Sequence, residues 1–331
     1  MRYLLFIFTV IILTYCESSE DNSQNKAFNN GWAIDTSDLT GTSIVKDAFP
    51  IVTNPSYTTN KNINLSEKEK VVAIRVQDSI LVYPLRYMGV EVLNDKQASL
   101  SFAVTYCPIT KSAYVLKRNI DNQVLTFSAS GILYKDNLIF YDLETETLWS
   151  QMLFKGINGK FLNETVQTVN SIETVWGTIK NHFSKVKIFT GFYDSTGNSS
   201  VKRIDPDDDI GIGDDLYNED EKVFGALNFS IIYTKSYSEI TRDITIKNHD
   251  NLVFASSRKY NFIAGYNNLG KNFSSVNNNF PVIMKDQTGI QYDIFGYPVS
   301  NNQAPVLLST YSYEALWWAW TDFYNNFMTI E

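Results

Sequence analysis

Cys107 is the residue of this sequence whose side chain is best suited to covalent or redox chemistry. It opens the segment Cys-Pro-Ile-Thr, which places the thiol three residues before the hydroxyl of Thr110. One thiol suffices for nucleophilic catalysis when its pKa is depressed by a nearby cation or base, and Lys111 is the nearest cation in the sequence. Free cysteine is also among the most buried residue types, so a small core residue in a turn fixed by Pro108 is the alternative interpretation.

Polar and aromatic residues surround Cys107 between apolar runs, which is a usual way for a β scaffold to present groups at a site. Tyrosine and tryptophan are of the size that lines a pocket for a sugar or another small ligand. The same residues would serve equally well as packing within a sheet. The residues that we consider for ligand binding are Tyr106, Ser130, Tyr134, Asp136, Tyr141, Asp142 and Trp149.

Other signals of chemistry are weak, and the sequence leaves metal and cofactor unassigned. His182, His249 and Cys107 include the ligand types of a zinc site, but their spacing matches no zinc motif. The acidic segment 205–215 offers carboxylates for calcium but lacks the EF-hand spacing, so a solvated loop is the alternative. Neither the nucleophile elbow of hydrolases nor the glycine-rich fingerprint of nucleotide-binding proteins occurs.

The composition excludes two broad classes of protein. A hydrophobic fraction of 44% is ordinary for a globular chain and excludes general disorder. The net charge of −8, without any basic run, argues against non-specific binding of nucleic acid. The aromatic fraction of 14% favours β-rich structure with broad aromatic surfaces.

The first 30 residues are predicted to be a signal peptide followed by a tether. Arg2 precedes an apolar run at residues 3–13, which is too short for a comfortable transmembrane helix. The run leads to Cys16 in a pattern that resembles a bacterial lipobox, so we expect residues 1–16 to be a signal peptide and Cys16 to be lipidated. Tyr15 departs from the small residue expected before that cysteine, and an ordinary signal peptide or an uncleaved anchor is the alternative. Residues 17–30 form a polar tether with acidic residues, which favours a lipid anchor in the outer membrane, facing the periplasm or the cell surface.

Residues 31–331 are predicted to form a single globular domain. Short, closely spaced runs with strand character indicate antiparallel sheets, arranged as a barrel or a sandwich. The clearest pair is a hairpin of Val71–Val76 and Ile80–Leu85 around a turn at Gln77–Ser79. The sequence shows no evident internal repeat.

Two helices are expected among these strands. The first begins with Asn170 and Glu173 as a cap pair, and the second covers Ser312–Phe327 as a packed C-terminal helix. Apolar residues recur at helical spacing in both segments, and the second segment is strongly aromatic. The residues of these two stripes are Ile172, Val175, Trp176, Ile179 and Phe183, then Tyr313, Trp317, Trp320, Tyr324 and Phe327.

The ordered set of short motifs resembles the family called domain of unknown function 3179. The resemblance is first evident at Thr105–Pro108. It extends in both directions over most of residues 31–331 and is weakest at Ser195–Ser275. The other matching elements are Val82–Leu85, Asn94–Asp95, Thr126–Phe127, Ser130–Gly131, Leu133–Tyr134, Tyr141–Asp142, Trp149–Gln151, Trp176, His182, Asp293–Gly296 and Trp317–Trp320.

This chain departs from the family pattern at two positions. Relatives commonly carry Cys-Pro-x-Cys, whereas the second thiol is replaced here by Thr110. They also commonly carry a His-Glu pair, of which this chain keeps only Glu91. A thiol pair with a histidine would suit redox or soft-metal chemistry. The resemblance therefore implies that such a site, where relatives have it, is incomplete in this chain.

We therefore expect an α+β, β-rich domain that serves as an exported cell-envelope lipoprotein. Its expected role is that of a binding or structural module, with a small-molecule or glycan ligand and no nucleic acid. Its contact with the membrane would be made by the lipid on Cys16. The alternative is a thiol- or metal-dependent enzyme or redox protein with its site around Cys107 and Thr110.

Overall fold

The computed structural model describes residues 31–41, 43–45, 49–193, 199–200, 217–299, 301 and 303–331. Within these ranges it contains 26 strands and only two α-helices, one of them the aromatic C-terminal helix. The strands form several mostly antiparallel sheets, and no sheet built from these described residues closes into a barrel. The expected α+β, β-rich class is confirmed. No helix in the described part of the chain has the length and apolar character needed to cross a membrane.

The described residues before Lys222 contain sixteen strands, one α-helix and two short 3-10 helices, at Thr36–Asp38 and Leu85–Tyr87. The strands and the helix are β1 (Leu39–Thr40), β2 (Pro55–Thr58), β3 (Lys70–Val76), β4 (Ser79–Pro84), β5 (Val92–Gln97), β6 (Leu100–Cys107), β7 (Ser112–Lys117), β8 (Asn119–Ile120), β9 (Gln123–Val124), β10 (Phe127–Tyr134), β11 (Asn137–Asp142), β12 (Leu148–Ser150), β13 (Lys155–Asn158), β14 (Ser171–Val175), α1 (Trp176–His182), β15 (Val186–Tyr193) and β16 (Ser199–Ser200).

The second part begins at Lys222 and contains ten strands and one α-helix. These are β17 (Lys222–Asn228), β18 (Ile231–Ser236), β19 (Thr245–His249), β20 (Leu252–Ser257), β21 (Phe262–Asn267), β22 (Phe273–Ser275), β23 (Val282–Asp286), β24 (Gln291–Asp293), β25 (Tyr311–Leu316), α2 (Trp317–Phe323) and β26 (Phe327–Thr329).

The predicted hairpin at residues 71–85 is confirmed as β3 and β4, whereas both helices are shorter than predicted. Residues 171–175 form β14, which pairs with β3, and α1 begins only at Trp176. Residues 311–316 form β25, which pairs with β17, and α2 begins only at Trp317. Pairing with a neighbouring strand overrides the local helical pattern in both segments.

The predicted cap pair of the first helix is also wrong, because both residues make other contacts. The amide of Asn170 donates to the carbonyl oxygens of Phe295 and Leu307 at 2.8 and 2.7 Å. Glu173 lies within β14 instead of the first helical turn.

The two parts of the chain share one order of elements, which shows an internal duplication that the sequence pattern had not revealed. The first half pairs its strands in the order β14-β3-β4-β15, and the second half pairs them as β25-β17-β18-β26. The last pair is parallel in both halves. Between hairpin and final strand, each half inserts a three-stranded meander (β5-β6-β7 or β19-β20-β21). A second meander follows it (β10-β11-β12 or β22-β23-β24).

The residue registers of the two halves agree position by position. Val175 pairs with Lys70 at the end of β14, and Leu316 pairs with Lys222 at the end of β25. The helix that follows each strand is held by the same backbone bond. Trp176 donates to the Glu69 carbonyl at 2.8 Å, and Trp317 donates to the Glu221 carbonyl at 2.9 Å.

Side-chain clamps between the meanders repeat as well. Asn94 pairs its amide with the backbone N–H and C=O of Phe127, both at 2.8 Å. Asn248 makes the same two bonds, also at 2.8 Å, with Phe273. In each half one asparagine side chain takes the place of two backbone hydrogen bonds between strands. It thereby fixes the relative position of the two meanders.

The packing of α1 and α2 shows how the halves have diverged. Trp320 of α2 occupies the position of Ile179 in α1, and Gly225 of β17 occupies the position of Ala73 in β3. A Cβ atom on Gly225 would lie 2.3 Å from the Trp320 ring. The larger ring therefore requires the smaller strand residue beneath it.

Candidate functional site

Two lysines and two glutamates, one of each from either half, meet where the halves join; we call them the charge quartet. Lys70 begins β3 and Lys222 begins β17, at matching positions. Glu173 of β14 pairs with Val72, two residues after Lys70, and Glu314 of β25 is placed in the same way beside β17. The duplication therefore brings the four side chains together from matching positions of the two halves.

The quartet is cross-connected between the halves. Lys70 Nζ lies 3.9 Å from Glu173 Oε1 and 3.7 Å from Glu314 Oε2. Lys222 Nζ donates to Glu173 Oε1 and lies 3.7 Å from Glu314 Oε2. Both carboxylates are buried, with side chains 5% and 2% exposed, whereas the lysines are partly exposed. Each buried carboxylate thus faces two cations.

Glu173 has an unusual acidity for a glutamate. Burial and the nearby charge of Glu314 together raise its pKa to about 7, although Lys222 and Lys70 oppose the shift. Its second oxygen, Oε2, is buried and has no hydrogen-bond partner among the described residues. Both carboxylates also line a cavity of about 20 Å³, which is the size of one water molecule.

A basic cleft of about 430 Å³ opens on the lysine side of the quartet. Two of its walls are Leu85, just after β4, and Tyr106, near the end of β6. Burial raises the pKa of the Tyr106 hydroxyl, and the charge of Glu173 adds to the effect. Five cationic side chains line the cleft, namely Lys68, Lys70, Arg86, Lys111 and Lys222, together with Ser66 and Glu69.

Cys107 points away from this cleft and into the core. Its side chain is 1% exposed, and its thiol donates to the Asp136 carbonyl at 3.8 Å. Burial raises the pKa of the thiol, and the hydrogen bonds with Thr110 oppose this shift. A buried thiol that stays protonated is a poor nucleophile, so the geometry favours the interpretation of Cys107 as a core residue.

Thr110 belongs to a buried network of polar side chains at the end of β6 and β7. Its hydroxyl lies 2.8 Å from that of Ser112 and accepts from the Asn137 amide at 2.9 Å. Gln151 completes the network, accepting from Ser112 at 2.7 Å and donating to Thr105 at 3.1 Å. Since the members satisfy one another, the network fixes the arrangement of β6, β7 and β11.

Ser130 and Asp136 lie at irregular points of the β10–β11 hairpin. The Ser130 hydroxyl donates to the Ile139 carbonyl at 2.5 Å, where a bulge shifts the register between Ala129 and Ile132. Asp136 is exposed in the hairpin turn with φ of 56°. Neither residue lines the basic cleft.

The remaining predicted ligand residues are buried in the first half. Asp142 accepts from the Trp149 ring nitrogen at 3.0 Å and from the Thr145 backbone at 2.6 Å, so it shapes the turn between β11 and β12. Tyr134 packs edge-on against Phe323, with ring centroids 5.4 Å apart. Tyr141 is buried in the same sheet. Of all the predicted site residues, Tyr106 lines the basic cleft.

The described residues do not show the grouping of side chains that the metal-binding hypotheses require. Within the described ranges no three His, Cys, Asp or Glu side chains are grouped so that they could hold a metal ion. His182 packs against Tyr260 and Phe280, and His249 packs against Tyr233. The acidic segment 205–215, Cys16 and the tether lie outside the described residues.

The sequence carries a signal that would have found the quartet. Glu-x-Glu-Lys-Val occurs at Glu67–Val71 and again at Glu219–Val223, and it contains both lysines. Ser-x-Glu-x-x-Trp occurs at Ser171–Trp176 and again at Ser312–Trp317, and it contains both glutamates. The two motifs are each short and lie about 100 residues apart, so they become conspicuous only when they are read as one repeated pair.

A family model described as "Protein of unknown function (DUF3179)" matches residues 46–327, which is most of the chain. The chain belongs to the DUF3179 family. The match covers both duplicated halves, including the quartet and the basic cleft. Comparison with curated proteins gave no significant match, and neither did comparison with solved structures.

The raised pKa of Glu173 predicts a pH-dependent stability. The carboxyl has a pKa of 4.5 as a free side chain and about 7 in the fold, so between these values the folded chain binds the extra proton. The contribution of this extra proton to the free energy of unfolding is therefore complete below pH 4.5 and falls as the pH rises to about 7. The slope is at most about 1.4 kcal/mol per pH unit.

Urea unfolding between about pH 5 and pH 8 measures this effect. The quantity to compare is the difference in the free energy of unfolding between the native chain and Glu173→Gln. We expect the stability advantage of the native chain to shrink with rising pH and to level off above about pH 7. Glu164→Gln, at an exposed glutamate, controls for the introduction of an amide. A difference that grows with pH would contradict the raised pKa.

Proposed function

We propose that this DUF3179 protein is a binding module whose site is the basic cleft and whose ligand is a small anion. The observation that carries the proposal is the convergence of five cationic side chains on one cleft in a chain of net charge −8. Buried Glu173 and Glu314 hold Lys70 and Lys222 at the floor of this cleft. Preorganised cations lose little freedom on binding, which favours affinity for an anion.

The dimensions of the cleft support a small molecule as ligand. A volume of about 430 Å³ lies within the range of small-molecule sites and is too small for a folded partner. The lining combines charge with the apolar and aromatic surfaces of Leu85 and Tyr106. Such a surface suits a ligand that carries both an anionic group and an apolar body.

A thiol-dependent or metal-dependent activity around Cys107 has less support than binding. The thiol is buried and protonated, and Thr110 is engaged in the buried polar network. Neither side chain lines the basic cleft. We therefore assign Cys107 and Thr110 to the packing of the first half.

Binding of phenylacetate, with uncharged phenylacetamide as its matched analogue, tests the proposal by titration calorimetry. We expect the carboxylate to bind and the amide to bind at least tenfold more weakly, which corresponds to about 1.4 kcal/mol. Lys68→Glu should weaken phenylacetate binding at least fivefold, because it reverses a charge of the cleft (roughly 1 kcal/mol).

Lys285→Glu is the matched control, since Lys285 is an exposed lysine of β23 that does not line the cleft. It should leave the affinity unchanged. Equal binding of acid and amide, or equal loss in the two lysine variants, would contradict an anion site in this cleft.

We also propose that the protein is exported and anchored to the outer membrane through a lipid on Cys16. The support lies in the sequence, where Arg2 and the apolar run at residues 3–13 precede Cys16. Cys16→Ser should move the protein from the membrane fraction to the soluble fraction of the producing bacterium. Unchanged partitioning would exclude lipidation of Cys16 as the anchor.

A further inference from the structure

The basic cleft of the first half has a counterpart in the second half. There the corresponding space is filled by a side chain of the second half itself. Pro84 pairs with Val71 at the end of β4, so Leu85 is the next residue of the first half. The matching pair in the second half, Ser236 with Val223, is followed by Tyr237. The duplicated registers thus place a tyrosine where the cleft has a leucine.

Tyr237 makes three contacts that define its site. Its ring centroid lies 4.4 Å from Lys70 Nζ, which is a cation–π distance. Its hydroxyl donates to Glu314 Oε1 at 2.5 Å and lies 3.4 Å from the Asn261 carbonyl oxygen. A phenol group is therefore held by a lysine, a buried carboxylate and the turn after β20.

Two of the three corresponding groups of the first half line the cleft, and the third, Glu173, is bonded to one of them. Lys222 corresponds to Lys70, Glu173 corresponds to Glu314, and Lys111 corresponds to Asn261 in the turn after β6. Lys111 and Lys222 both line the cleft. Tyr106, which replaces the small Ser256, adds an aromatic wall.

Building on the proposed anion site, we infer that the cleft binds a phenol that carries an anionic group. The phenol ring lies beside Lys222 as Tyr237 lies beside Lys70. Its hydroxyl is directed at the Glu173 carboxylate, which is bonded to the cleft residue Lys222 but does not itself line the cleft. The buried Oε2 of Glu173 has no hydrogen-bond partner among the described residues, and the phenol reaches it when the Lys222 side chain moves aside. The anionic group faces the outer cations of the cleft, Lys68 and Arg86.

The phenol hydroxyl decides specificity in this arrangement. A buried carboxylate oxygen gains a strong, charge-assisted hydrogen bond from a phenol and gains nothing from a bare ring. Sites built to pair a buried polar group discriminate against analogues that lack the partner. The cleft should therefore prefer phenols to otherwise identical rings.

Calorimetric titration of the purified full chain with 4-hydroxyphenylacetate, phenylacetate and 4-fluorophenylacetate tests this inference. At about pH 8 the phenol is still neutral, and Glu173 is ionised in most molecules. We expect 4-hydroxyphenylacetate to bind at least tenfold tighter than the other two acids. The fluoro compound matches the size of the phenol but cannot donate a hydrogen bond.

The outcomes separate this inference from the proposed function. Equal affinities for the three acids would overturn the phenol assignment and leave the anion site standing, with Glu173 Oε2 facing the small cavity instead. Absence of binding by all three acids would overturn both proposals. Preference for the fluoro compound would show an apolar pocket and would also overturn the phenol assignment.

Leu85→Tyr tests whether the ligand binds in the cleft. The variant places a tyrosine in the first half at the position where Tyr237 fills the corresponding space of the second half. The variant should keep the native circular dichroism spectrum and lose binding of 4-hydroxyphenylacetate at least tenfold. Retained binding in the folded variant would place the ligand elsewhere and overturn the assignment. If the variant does not fold, the affinity ratio among the three acids still decides for or against the phenol assignment.

Discussion

Four charged side chains meet where the halves join, and the two carboxylates are almost fully removed from water. Removal of one lysine from such a cluster is destabilising, because it leaves the two buried carboxylates with a single cation between them. The strands that carry the four residues must therefore keep their registers. The same constraint places two lysine ammonium groups at the floor of the cleft.

The two halves share a backbone plan but use different side-chain chemistry. The first half holds its central hairpin with Thr110 and Ser112, which join the buried polar network. The matching positions of the second half are Tyr260 and Phe262, and the Tyr260 ring stacks on Phe280 at 3.9 Å. Cys107 corresponds to Ser257 in the same way. The stretch around Cys107 thus belongs to the first half of a duplicated scaffold, where Thr110 and Ser112 join the buried network while Tyr106 and Lys111 line the cleft.

The sequence predicted what local chemistry determines. Alternating apolar residues and a short turn specify the β3–β4 hairpin, and the family motifs led to the DUF3179 assignment. The apolar pattern predicts the start of each helix several residues too early. Where a strand leads directly into a helix, as at Glu173–Trp176, the same apolar residues fit either a strand or a helix. Only pairing with β3, about 100 residues away, decides between them.

The candidate site could not be predicted because no local segment contains it. Its cations come from the entry to β3, the turn after β4, the turn after β6 and the start of β17. The nearest signal was the repetition of two short motifs, which marks the quartet but not the cleft. The second half has Tyr237 at the position of Leu85, and this difference becomes visible only when the two halves are aligned by their strand registers.

The second half can be tested for the same kind of site by removing the tyrosine ring that fills it. Tyr237→Ala should open it, and the thermal stability of native and variant chains can then be measured with added 4-methylphenol or toluene. We expect 4-methylphenol to raise the melting temperature of the variant more than that of the native chain, and toluene to have a smaller effect on the variant. Equal stabilisation of the two chains by 4-methylphenol would contradict this expectation.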